Sequence, residues 1–131
     1  MPIIGPHKAD KSWLDELPAL AERFGLPGAK SFTPDRWLEE GDVVEVAGGE
    51  LHVYHCPGHT LGHVVFHIPA DKTALVGDVL FKGSIGRTDL PGGNITAMSP
   101  MRRWRADYSA ASYWLRPVRY SSNLGFASSR L

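Results

Sequence analysis

The sequence predicts an α+β fold in which short N-terminal helices precede mostly antiparallel strands. Three observations carry this. Apolar residues recur at helical spacing between Trp13 and Phe24, short apolar-rich runs follow one another from Val43 to Val76, and Gly, Pro and Asp clusters leave only tight turns between those runs. With 131 residues, 43% hydrophobic and 21% charged, the chain suffices for one modest domain and is too apolar for wholesale disorder.

The elements follow in order. Ile3 and Ile4, between Pro2 and Gly5-Pro6, read as the end of a short strand. Asp10 is placed to cap a helix beginning near Lys11, and Trp13, Leu14, Leu17, Leu20, Ala21 and Phe24 form its apolar stripe until Gly25. Pro18 splits this stretch into two short helices, because an interior proline costs roughly 3 kcal/mol. Thr33-Pro34-Asp35 restarts the chain. Val43–Val46, Gly48-Gly49 and Glu50–His55 read as a hairpin, followed by strands at His63–Ile68 and Thr73–Val76, an antiparallel meander. Its predicted core is Val44, Val46, Leu51, Val53, Val64, Phe66, Ile68, Leu75, Val76, Val79 and Phe81.

Net charge is zero but unevenly spread. Residues 1–98 hold 8 basic and 13 acidic side chains, whereas residues 99–131 hold six Arg against the single Asp107, with seven Ser and no evident periodicity. The expected organisation is therefore a domain over 1–98 and an Arg/Ser-rich tail over 99–131. Basic tails bearing aromatics can bind nucleic acid, but so little patterning argues against that partner. One cysteine, Cys56, excludes an internal disulfide and suits a reducing compartment. No apolar run approaches the ~20 residues of a membrane span, and the start lacks a secretory pattern. The expectation is a cytoplasmic protein without a membrane partner.

Five of six histidines lie between positions 52 and 67. Strand alternation puts His52 beside Tyr54, and His63 and His67 beside Val65, which favours surface or neighbouring roles over metal ligation. His59 differs, because it sits in the turn-forming segment Cys56-Pro57-Gly58-His59-Thr60-Leu61-Gly62-His63, where a loop can hold it rigidly against a cleft. Asp78 follows the apolar run Ala74–Gly77 at a strand's carboxyl end, where a helix cap and a functional carboxylate are equally good readings. Gly83-Ser84-Ile85-Gly86-Arg87 matches no phosphate- or dinucleotide-binding pattern. Arg87 is suited to clamp a carboxylate. One His and one Asp are half a metal site, since catalytic zinc takes three protein ligands.

Cys56–His63, Gly77-Asp78 and Phe81-Lys82-Gly83-Ser84-Ile85-Gly86-Arg87-Thr88-Asp89 together resemble the metallo-β-lactamase superfamily, in particular its glyoxalase II-like (hydroxyacylglutathione hydrolase) branch. Thr33-Pro34-Asp35-Arg36-Trp37-Leu38 resembles small bacterial members of that branch. The likeness covers roughly residues 1–95. It implies the second half of an αββα sandwich with a metal site at the sheet edges. His59 matches the histidine that completes the first metal's set, and Asp78 the aspartate that bridges two metals. Arg87 lies where a basic residue meets a glutathione carboxylate, and His63 neighbours the site without ligating. The implied cofactor is zinc, two ions in the intact family. The implied reaction is thioester hydrolysis by a metal-bound hydroxide whose pKa falls toward ~7.

The sequence also departs from the family. Its His-x-His-x-Asp-His motif has no counterpart in residues 1–55, and no histidine follows His67, so two of seven expected ligands remain. The expectation is a fragment lacking the family's N-terminal half, with a divergent or frame-shifted end after about residue 95, and inactive alone. Two alternatives stand beside the hydrolase. One is a persulfide dioxygenase-like enzyme with a single iron on two His and one Asp. The other is a non-catalytic remnant or interaction module, self-associating through an exposed sheet edge.

Overall fold

The computed structural model describes residues 2–81 and 84–98, together with the backbone of 114–115. The predicted tail, apart from that two-residue strand, and Lys82-Gly83 of the glycine loop lie outside the described residues. Two helices form as expected, α1 at Lys11–Asp15 and α2 at Leu17–Arg23, with Pro18 in the first turn of α2. Proline is tolerated there because its missing N–H has no helical partner in any case. Asp10 departs from expectation: it precedes α1 but makes no capping hydrogen bond, its carboxylate being committed elsewhere. Ile4 forms an isolated parallel bridge with Arg36, and Ile3 N–H donates to the Asp35 carboxylate at 2.7 Å, in place of a longer strand.

The meander is present. β1 (Val43–Val46), β2 (Gly49–His55), β3 (Val64–Ile68) and β4 (Thr73–Leu75) pair antiparallel in sequence order, and β7 (Trp114–Leu115) joins β4 in parallel. A second, two-stranded sheet pairs β5 (Leu80–Phe81) with β6 (Ser84–Ile85). Val46 pairs with Gly49 across a two-residue turn in which Ala47 and Gly48 have φ of 51° and 80°. Positive φ at both central positions matches the turn to the strands' twist.

Both faces of the larger sheet carry apolar clusters. On one, Leu38, Val44 and Val53 are buried, with Leu51, Val64 and Phe66 against them. On the other, Cys56, Val65, Ala74, Val76, Val79 and Met98 are buried. The predicted core follows mainly the first face: it includes Val76 and Val79 of the second but misses Val65 and Ala74, and it wrongly includes Val46 and Phe81, which are 53% and 49% exposed. A sheet lying between layers is apolar on both sides, which defeats simple alternation. β1 forms an edge, with Val43 exposed beside Val46. Among the described residues no helix is long and apolar enough to cross a membrane.

Candidate metal centre

The loop 56–63 between β2 and β3 is tied down along its length. Gly58, at φ +144°, packs where any side chain would strike Met98, and Asn94 N–H donates to its carbonyl at 2.9 Å. Asp10 grips the other end, accepting from Thr60 Oγ1 at 2.7 Å and from Gly62 N–H at 2.6 Å. Gly62 is required there, since a Cβ would lie 2.5 Å from the Asp10 backbone nitrogen. His55 Nε2 bonds the Leu61 carbonyl at 2.8 Å, and its ring stacks on His7 at 3.9 Å. These anchors span up to 52 residues of sequence.

Held in this way, His59 is only 14% exposed and its Nδ1 lies 2.9 Å from the Arg87 carbonyl. A carbonyl only accepts, so Nδ1 is the donor to it, and Nε2 is the nitrogen left to face a metal. That Nε2 faces Asp78 Oδ2 at 3.7 Å. Asp78 sits in a single 3-10 turn, Gly77–Val79, after β4, and is 67% exposed. The turn has no side-chain cap hydrogen bond, so the cap reading of Asp78 is not met. Gly86 closes the arrangement, because a Cβ there would overlap the Asp78 carbonyl oxygen and sit 3.5 Å from His59 Nδ1.

Two donors held tetrahedrally about 2.1 Å from one zinc ion lie about 3.4 Å apart. The His59–Asp78 pair, with its outer-shell hydrogen bond to Arg87 O, therefore fits a metal ion as two members of a donor set. It falls short of a whole set: among the described residues no group of three His, Cys, Asp or Glu side chains converges.

His63 lies edge-on to His59, with ring centroids 5.9 Å apart, and donates from Nε2 to the Val76 carbonyl at 3.1 Å. Burial pushes its pKa down, so it stays neutral beside the pair. Arg87 meets the site through its backbone carbonyl. Its guanidinium points to solvent and is held by Asp89 as a fork, Nε to Oδ1 at 2.7 Å and Nη2 to Oδ2 at 2.8 Å. That hydrogen-bonded pairing lowers the Asp89 pKa to about 2. Cys56 is buried, and desolvation raises its thiol to about 11, which suits packing and not ligation or nucleophilic attack. Sequence reasoning missed Asp10 and Gly86 as parts of the site. No local signal marks Asp10, whose partners are 50 and 52 residues away, whereas Gly86 adjoins Arg87 in a loop already singled out.

Several known proteins are similar to this chain. The hydroxyacylglutathione hydrolase GloC of Haemophilus influenzae is 45% identical over 102 residues, covering 76% of this chain and 48% of the relative. A hydroxyacylglutathione hydrolase of Pseudomonas aeruginosa is 38% identical over 82 residues, covering 56% and 32%. The chain thus spans about half, or less, of the curated relatives it matches. Among solved structures, TTHA1623 in a di-iron-bound form superimposes with a TM-score of 0.68 at 36% identity, over 81% of this chain and 52% of that one. The B3 metallo-beta-lactamase BLEG-1 gives 0.62 at 33%, over 75% and 47%. The family model of the metallo-beta-lactamase superfamily matches residues 1–116, and this chain belongs to that superfamily.

Proposed function

We propose that this chain carries one edge of the metal centre of a metal-dependent hydrolase whose substrate is a hydroxyacylglutathione-type thioester. The observation that carries the reading is the approach of His59 Nε2 to Asp78 Oδ2 at 3.7 Å, with the other imidazole nitrogen on the Arg87 carbonyl. The identity with GloC supports the thioester. Zinc is the proposed metal, and the relative solved with iron makes iron the alternative. A bound divalent ion supplies Lewis acidity and a water ionised near neutral pH. The chain's own contribution is to hold two donors, to fix the His59 tautomer and to keep His63 neutral beside them. Two donors do not retain a catalytic ion, so turnover requires donors beyond the described residues. The buried Cys56 thiol accords with a reducing compartment such as the cytoplasm. The β1 edge, with Val43 and Val46 exposed, is the proposed route of self-association.

The test grafts residues 2–98 in place of the aligned segment of GloC. The metal-loaded chimera is expected to hydrolyse lactoylglutathione, with His59→Ala and Asp78→Ala each lowering turnover more than about 100-fold, as loss of a ligand does. A folded, loaded chimera that leaves the thioester intact but consumes oxygen with glutathione persulfide would replace this reading with the dioxygenase.

A further inference from the structure

A half-open cavity of about 220 Å³ lies between α1 and the loops that carry His59 and Arg87, lined from those loops by Leu61, Pro91 and Gly92. Its construction is fixed. Asp10, through its bonds to Thr60 and Gly62, holds Leu61 against the start of α1. On the far side Leu61 meets Gly92, where a Cβ would lie 2.9 Å from its Cγ. The walls are thus Ala9, Trp13, Leu61 and Pro91, an aromatic face and aliphatic surface, with Ser12 and Glu16 as the polar groups. Among the described residues Glu16 is the only charged side chain lining it. Neighbouring Lys11 is tied to Asp15 at 2.5 Å.

A carboxylate beside an indole face and a hydroxyl is chemistry for an ammonium group on an aliphatic stem: the carboxylate and the ring attract the cation, and the walls cover the methylenes. An anion is repelled by Glu16. We infer that this cavity binds the ammonium-bearing end of the substrate. Resting on the thioester reading, that end is the γ-glutamyl group of glutathione, whose amino group Glu16 accepts and whose methylenes lie on Trp13 and Leu61. The γ-glutamyl carboxylate, on the same carbon as that ammonium, turns away from Glu16 through the open side of the cavity, and the glycyl carboxylate is left to groups outside it, Arg87 among them.

The experiment is an NMR titration of the full chain with S-methylglutathione, read on the Trp13 indole N–H, which is identified by its loss in Trp13→Phe. Saturable shifts are expected. Glu16→Gln, an exposed position, should weaken binding roughly three- to fivefold, the size of a partly exposed charge-assisted contact. N-acetyl-S-methylglutathione, which lacks the cation, should weaken at least as much, while Glu45→Gln, an exposed carboxylate on β1 away from the cavity, leaves the affinity unchanged. Equal affinity of wild type and Glu16→Gln, or of the acetylated and free ligands, overturns the assignment. If propylammonium shifts Trp13 in a Glu16-dependent way while S-methylglutathione does not, the cation cavity stands and the glutathione reading falls.

Discussion

The two halves of the candidate centre are built to different standards. His59 belongs to a loop fastened by the Asp10 carboxylate, by the Leu61 carbonyl on His55 and by Asn94 on Gly58, and it is 14% exposed. Asp78 stands on one 3-10 turn, is 67% exposed, and faces His59 at 3.7 Å. Rigidity in the first case comes from the Asp10 side chain, 50 and 52 residues from its partners, together with a local His55 tie and a main-chain bond from Asn94. In the second it comes from backbone alone, through the Gly77 turn and the close packing of Gly86. A side chain fixed in advance loses little entropy on binding, and of the two it is His59 that is fixed in advance.

The largest expected effect comes from the residue that joins the halves. Gly86→Ala drives a methyl into the Asp78 carbonyl oxygen and toward His59. Backbone cannot yield as a flexible side chain does, so a loss of about 3 kcal/mol is expected in urea unfolding. A change below the error of that measurement would mean that the halves are not packed as described. Next, Asp10→Ala removes the acceptor of two hydrogen bonds from the histidine loop and should cost about 2 kcal/mol. Asp10→Asn, which keeps one amide oxygen, should recover part of that. The histidine half alone should respond: His59 NMR signals should broaden or split in Asp10→Ala, while Leu80 and Ile85 in the small sheet stay put.

This contrast also explains what was legible in the sequence. Strands, turns and the Pro18 break are local and legible, whereas the pairing of His59 with Asp78 is implied only by the family resemblance, since local pattern leaves Asp78 equally a cap. Asp10 was read as a cap because a carboxylate before a helix usually is one, and its true partners lie 50 residues on. Arg87 was singled out for its guanidinium, yet it is the carbonyl that reaches the site, and main-chain roles leave no mark on residue type. The second apolar face was hidden because Tyr54, Val65 and Ala74 alternate with residues that are themselves apolar.

Acid should act mainly on the histidine side. Burial is the first cause lowering the pKa of His7, His63 and His67 below the ordinary 6.5. Above that value both folded and unfolded chains are neutral at these rings. As pH falls below 6.5 the unfolded chain takes up protons first, so stability is lost progressively until the depressed folded pKa values are reached. Melting temperature should therefore drop between pH 7 and 5, a window above the carboxylate range. His63→Gln, at the most enclosed of the three, should flatten that slope, and an unchanged slope would remove burial of His63 as its cause.

The smallest effect belongs to the open flank. Arg87 and Asp89 are 63% and 69% exposed at their side chains, and solvent screens such a fork, so Asp89→Asn should leave the melting temperature unchanged. What should move is the Arg87 Nε–H resonance, because its partner at 2.7 Å changes from a charged to a neutral oxygen. The fork also occupies the two donors that a ligand carboxylate would take. Freeing them should tighten S-methylglutathione about twofold, as expected for displacing a weak exposed pair. Raising salt to about 1 M should erase that gain, since the Debye length shrinks to about 3 Å. A gain that survives high salt would show that Asp89 acts by shaping the 86–94 loop and not by competing for the guanidinium. An unmoved Nε–H signal would show that the fork does not form in solution, leaving the Arg87 carbonyl as that residue's single tie to the centre.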